Sequence, residues 1–132
     1  MARKWVRREK DEQADIVRLL RSLGAAVYVS GTVRPRGDTP GTRQTPGIPD
    51  LEAFLPRRGT GGNGYRLLKV EVKRSKGGRL SPDQQAYRDV CQAADVPHVV
   101  GDLTAVMGWL VAEGYLRADQ LPHDRRAEGG NA

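Results

Sequence analysis

The chain has 132 residues and a mass of 14.5 kDa, enough for one domain with a single modest core. Its hydrophobic share of 38% holds no apolar run near the roughly 20 residues of a membrane helix, so a membrane role is not expected. A lone cysteine, Cys91, excludes an intrachain disulfide, and His98 and His123 are too few for a zinc cluster. The amino terminus, MARKWVRREKDEQ, lacks the apolar stretch of a signal peptide, which points to the cytoplasm. Lys and Arg total 22 against 16 acidic residues, a net charge of +6, and 17 of the 22 are arginine. Arginine's planar fork matches phosphate oxygens, so the excess favours a nucleic-acid partner. The plainer reading is a basic protein with the arginine usage of a GC-rich genome. Seven aromatic residues are too few for a platform that stacks single-stranded bases.

In chain order, the first 23 residues read as a helix. Ile16, Leu19, Leu20 and Leu23 recur at helical spacing, and Gly24 follows as a stop. Ala26 to Ser30 is a short β-branched strand. From Gly31 to Gly47 the chain is rich in Pro and Gly, and Arg34, Arg36 and Arg43 make it a candidate arm over a phosphate backbone. A strand is expected from about Pro49 to Leu55 and another from Tyr65 to Lys73, the two joined as a loose hairpin. After SKGGR, Ser81 is an N-cap, Pro82 opens a helix and Gln84 completes a capping box. Tyr87, Val90, Cys91 and Ala94 form its apolar stripe. Pro97 to Val100 reads as a further core strand, and Asp102 caps a last helix carrying Leu103, Val106, Met107 and Leu110. Residues 1–121 are expected to form the domain and 122–132 a polar, frayed tail. The order helix, three strands, helix, strand, helix predicts an α/β fold, a small mixed sheet flanked by helices.

Chemistry concentrates on the second and third strands. Strand side chains alternate, so Glu71 and Lys73 share a face and Val72 takes the other. If the two strands pair, Asp50 of G-I-P-D comes beside Glu71. Adjacent carboxylates repel unless a cation lies between them, and an all-oxygen set suits Mg²⁺ or Mn²⁺. Such an ion polarises a phosphate and activates water, with Lys73 orienting that water or stabilising developing charge. Alone, a Pro-Asp is usually a turn and an E-x-K a solvated strand face; their order on adjacent strands gives them weight. Cys91, His98, Trp5 and Trp109 read as structural residues.

PGIPDLEAFL followed by LLKVEVKRSKGGRLSPDQQAY resembles the VRR-NUC (virus-type replication-repair nuclease) domain of the PD-(D/E)xK nuclease superfamily. The likeness runs from the first helix to the strand at Val99 and includes the G-x-PD, E-V-K and GRLSP-x-Q segments. It implies a restriction-endonuclease-like core and a DNA nuclease using Mg²⁺ or Mn²⁺. By the same resemblance Asp50 and Glu71 are metal ligands, Val72 adds its backbone carbonyl, Lys73 serves the attacking water and Gln84 is the helix-borne glutamine. Helical geometry favours Gln84 over Gln85 for facing the sheet, although capping and active-site duty could not easily be filled at once. The family's first-helix glutamate has three candidates, Glu9, Glu12 and Asp15; Glu12, one turn before Ile16 on the apolar face, is chosen. Glu52 is either a second metal contact or an edge charge. Arg74, Lys76 and Arg79 join the three loop arginines as nucleic-acid contacts.

The expected function is a structure-selective DNA endonuclease resembling Holliday-junction resolvases, working as a homodimer on branched DNA in a bacterial or phage-infected cell. The alternatives are a non-catalytic basic DNA-binding protein and a sequence-specific restriction-type nuclease.

Overall fold

The structure, a computed structural model, describes residues 7–30, 45–58, 64–74 and 78–121. Trp5, the arm bearing Arg34, Arg36 and Arg43, Lys76 and the 122–132 tail lie outside the described residues.

Seven main elements follow one another: α1 (Glu9–Ser22), β1 (Ala26–Val29), β2 (Leu51–Pro56), β3 (Tyr65–Val72), α2 (Pro82–Ala93), β4 (His98–Gly101) and α3 (Leu103–Ala112), with a 3₁₀ turn at Ala118–Gln120. The strands form one sheet in the order β1-β2-β3-β4. β1/β2 and β2/β3 are antiparallel, whereas β3/β4 is parallel and needs a crossover, which α2 provides. The predicted mixed sheet flanked by helices is therefore present, element for element.

Alternation explains the layering. Leu51, Ala53 and Leu55 of β2, Leu68, Val70 and Val72 of β3, and Val99 of β4 are buried on one face. Ile16 and Leu20 of α1 and Val106, Met107 and Leu110 of α3 pack against that face to complete one core. Each fully buried aliphatic side chain there stabilises the fold by about 1.5–3 kcal/mol. The other face carries Glu52, Lys69, Glu71 and His98, and α2 lies over part of it, with Tyr87 against His98 at 5.9 Å between ring centroids. Cys91 is buried beneath α2, apart from the main core, and burial pushes its thiol pKa up. It behaves as a small hydrophobe.

β1 ends at Val29 rather than Ser30, β2 at Pro56 rather than Leu55, and β4 runs one residue later than expected, His98–Gly101; three further boundaries also differ from the sequence expectation. α1 begins at Glu9, because Arg8 is extended (φ −70°, ψ 150°) and offers no side-chain cap. Its end is as expected, with Gly24 at φ +86°, a conformation natural to glycine. β2 starts at Leu51 rather than Pro49, and β3 ends at Val72 rather than Lys73, so Asp50 and Lys73 stand just beyond the regular ladder. Side chains at strand ends can turn toward the open rim of the sheet.

Candidate active site

Three hydrogen bonds hold Asp50 and the residue before it. The Ser30 N–H donates to the Asp50 carbonyl at 2.9 Å, and the Ser30 hydroxyl donates to the carbonyl of Pro49. On the other side, the Val72 N–H donates to Asp50 Oδ2 at 2.9 Å. Leu51 faces Val70 in the β2/β3 register, so one step further Asp50 comes opposite Glu71. The approach of this loop to α2 depends on Gly47. Its φ is +89°, and a Cβ there would meet the Asp83 carbonyl oxygen at 2.5 Å. The glycine of G-I-P-D is thus required by conformation and by space.

Glu71 is only 3% exposed, an acidic side chain sunk between buried Val70 and Val72 positions. Burial, reinforced by the neighbouring Asp50 carboxylate, pushes its carboxyl up to about 7, with Lys73 pulling the other way. Lys73 Nζ lies 3.7 Å from Glu71 Oε1, and Gln84 Nε2 donates to the same oxygen at 2.7 Å. Gln84 simultaneously keeps its capping duty. Its Oε1 accepts from the Ser81 N–H at 2.9 Å, while its own N–H donates to Ser81 Oγ at 3.2 Å. The sequence expectation that cap and site exclude each other is corrected here. The side-chain amide has two ends, an acceptor spent on the cap and a donor free for the carboxylate.

The α1 carboxylates divide differently from the sequence reading. Glu12 is 3% exposed and its Oε2 accepts from the Leu103 N–H at 2.8 Å, at the first turn of α3. An orphan helix-end donor and the positive end of the helix dipole both favour a carboxylate there. Glu12 therefore ties α1 to α3. Glu9, exposed on the same helix face one turn earlier, is the α1 residue whose charge reaches Glu71 and helps to raise it. Asp15 is paired with Arg7 at 2.6 Å and Arg18 at 3.2 Å. Glu52 is ion-paired across the strands with Lys69, its register partner.

The site opens onto basic surface. Arg74 and Arg79 are exposed. A cleft of about 460 Å³ is lined by Lys73, Arg74 and Gly78 together with the β4–α3 turn, and a smaller one of about 240 Å³ by Arg7, Arg8, Glu9 and Arg74. A groove of similar size, about 480 Å³, runs along the outer face of α1 and touches none of the carboxylate site. Shape alone would not choose between them; the paired carboxylates do. Among the described residues no group of three or more His, Cys, Asp or Glu side chains converges as a ready metal cage. Two carboxylates with backbone beside them are what an ion that keeps several waters and a phosphate requires.

Gly78 is a site residue that sequence reasoning did not single out. A Cβ there would meet Lys73 Cβ at 2.8 Å and the Arg74 carbonyl at 3.1 Å. Gly78→Ala is expected to move the Lys73 side chain off Glu71 with little fall in melting temperature, which a structure and a thermal melt of the variant would check. The GGR stretch was the available signal, but a glycine pair reads as a turn until its neighbours in space are known.

Among solved structures, a VRR_NUC domain has a similar fold, with a TM-score of 0.55 and 24% sequence identity over 82% of this chain and 97% of that one. No protein-family model matches the chain, and no curated protein sequence does. The sheet order, the three helices and that likeness agree: the chain has a VRR-NUC-like α/β fold.

Proposed function

We propose that the protein is a divalent-metal-dependent endonuclease that hydrolyses DNA phosphodiesters, with Asp50, Glu71, Lys73 and Gln84 at its centre. The observation that carries the reading is the pairing of a nearly inaccessible Glu71 with Asp50 beside a lysine and an amide, at the mouth of a basic surface. Two carboxylates this close disfavour each other's charge, and a bound cation is the partner that makes both useful. The donor chemistry fits Mg²⁺ or Mn²⁺: Asp50 and Glu71 would hold the ion with the Val72 carbonyl, which leaves the strand on the same side as the N–H that Asp50 accepts. Glu9 takes the first-helix role that the sequence reading gave to Glu12. When bound, such an ion supplies Lewis acidity to a phosphoryl oxygen and acidifies a water.

The residues of the chain do the rest. Lys73 positions the attacking water and offsets negative charge as it grows on the phosphate. Gln84 fixes the rotamer of Glu71, and the capping box fixes Gln84 in turn. Arg74 and Arg79 hold the backbone phosphates on either side of the cut, together with Lys76 and the arm arginines. The substrate we favour is branched DNA, cut by a homodimer whose two sites are related by a twofold axis.

The test is a panel of junction, flap, splayed and duplex DNA with each divalent ion. Wild type should cleave only with Mg²⁺ or Mn²⁺, branched substrates first, and should sediment as a dimer. Asp50→Asn, which keeps an acceptor for the Val72 N–H, and Lys73→Ala should each lower cleavage by at least two orders of magnitude. Binding without cleavage under every metal would sink the enzyme reading and leave a basic DNA-binding protein. Cutting at one duplex sequence would replace junction selectivity with restriction-type recognition.

A further inference from the structure

We infer that the opposite end of the sheet carries a second phosphate-binding site, built by Arg57 and Arg58, that grips the substrate's backbone away from the cut. The inference rests on the nucleic-acid reading above and names a surface that the carboxylate site does not contain. Arg57 and Arg58 follow directly on β2, at the end remote from Asp50, where the Arg57 N–H donates to the Gly64 carbonyl at 3.0 Å and closes the hairpin. Both side chains are exposed, and among the described residues neither forms an ion pair.

Their geometry is prepared. Arg58 lies over the Tyr115 ring at 5.4 Å, and Tyr115 stacks on Trp109 with centroids 6.2 Å apart and planes 15° from parallel. Trp109 carries Arg66 over its face at 5.2 Å, and Arg66 is already paired with Glu113 at 2.8 Å. Two shallow cavities, of about 240 and 260 Å³, share Arg57 and Arg66 as lining. Glu113 and Asp95 are the acids on their rims, and Glu113 is committed to Arg66. A guanidinium resting on an aromatic face has given up part of its rotamer freedom before any ligand arrives, while its donor edge stays in water. That arrangement suits an oxyanion such as a backbone phosphate.

Separation matters as much as chemistry. Asp50 precedes β2 and Arg57 follows it, so the arginines stand about 24 Å from the carboxylates at the strand rise. At about 3.4 Å per nucleotide of a duplex strand, that is a reach of about seven base pairs. The two sites are therefore far enough apart to meet different phosphates of one substrate, Arg58 on the α3 side of the sheet and Glu71 on the α2 side. A substrate held at two points has its direction fixed as well as its position, which is what a structure-selective enzyme needs.

Binding measured in EDTA separates this idea from the catalytic reading. Wild type and the double variant Arg57→Gln/Arg58→Gln are titrated with a fluorescent 24-base-pair duplex at several salt concentrations. The double variant should bind about tenfold more weakly at low salt, and its dependence of log affinity on log salt should flatten by between one and two. The Arg57→Lys/Arg58→Lys protein should recover the salt slope but only part of the affinity, since charge returns without the fork. Because Arg58 also rests on Tyr115, Arg57→Gln alone serves as the control for folding and should lose about half of the slope change. Wild-type affinity and slope in both Gln variants would overturn the second site, whether or not the protein cleaves DNA. Failure of cleavage under all metals with the binding losses intact would overturn the nuclease reading and leave this surface standing.

Discussion

Glu71→Gln is expected to abolish divalent-dependent cleavage, by three orders of magnitude or more, while making the metal-free protein more stable at pH 8. The two effects share one cause. The neutral amide keeps an oxygen for Gln84 Nε2 but cannot hold a cation, so the chemistry loses a ligand. The fold loses a burden at the same time, because a charged Glu71 is buried beside Asp50. Its carboxyl pKa rises from the ordinary 4.5 to about 7 in the folded protein. Between those values the native state binds a proton that the unfolded chain has released. The stabilising contribution is therefore complete below about 4.5 and is lost as pH rises through about 7. The span corresponds to as much as about 3 kcal/mol of metal-free stability. Denaturation in EDTA at pH 5, 6, 7 and 8 should show wild type losing stability across the series and Glu71→Gln changing far less. Mn²⁺ should restore stability at pH 8 to wild type alone. Identical pH slopes for the two proteins would dismiss Glu71 as the strained group.

The largest expected loss of stability lies at a residue that the sequence had assigned to chemistry. Glu12→Ala should destabilise the protein by about 2–4 kcal/mol, the sum of an orphaned helix-end donor and a small cavity. The Leu103 N–H would lose its acceptor at a buried junction of α1 with α3, and the Arg7 guanidinium 3.8 Å away would lose a partner. Glu12→Gln retains an oxygen at the same reach and should cost much less, with Mn²⁺ affinity close to wild type. Glu9→Gln should do the reverse: unchanged melting, because the side chain is exposed, and weaker Mn²⁺ binding by calorimetry. If Glu12→Gln instead removed metal binding at unchanged stability, the division of labour between the two glutamates would be exchanged.

Much of this protein was legible from local rules. Ser81, Pro82 and Gln84 announced the start of α2, and the cap bonds form between those very residues. Asp102 announced α3 in the same way, with its side chain accepting from the Ala105 N–H at 3.1 Å. Alternation along VEVK put Glu71 on the face opposite Val70 and Val72, where it lies. These features are short-range: a cap reaches three residues and a strand face repeats every two. The resemblance of G-x-PD, E-V-K and GRLSP-x-Q to VRR-NUC domains agreed with the likeness of the folds.

What the sequence by itself determined, then, was which segments form elements, which side chains share a face, and which carboxylates are candidates to meet. Tertiary structure decided the partners. Glu9 and Glu12 lie on one helix face but differ in surroundings: Glu12 is buried against the N-terminus of α3, whereas Glu9 is exposed and adds to the charge around Glu71. Gly47 and Gly78 gain their importance from Asp83 and Lys73, which come close only when the chain is folded. Gln84 joins a cap to a strand carboxylate because α2 crosses over the end of β3. Helix periodicity and strand alternation set direction, but contact depends on how elements dock, and docking is decided by the burial of the whole apolar face at once.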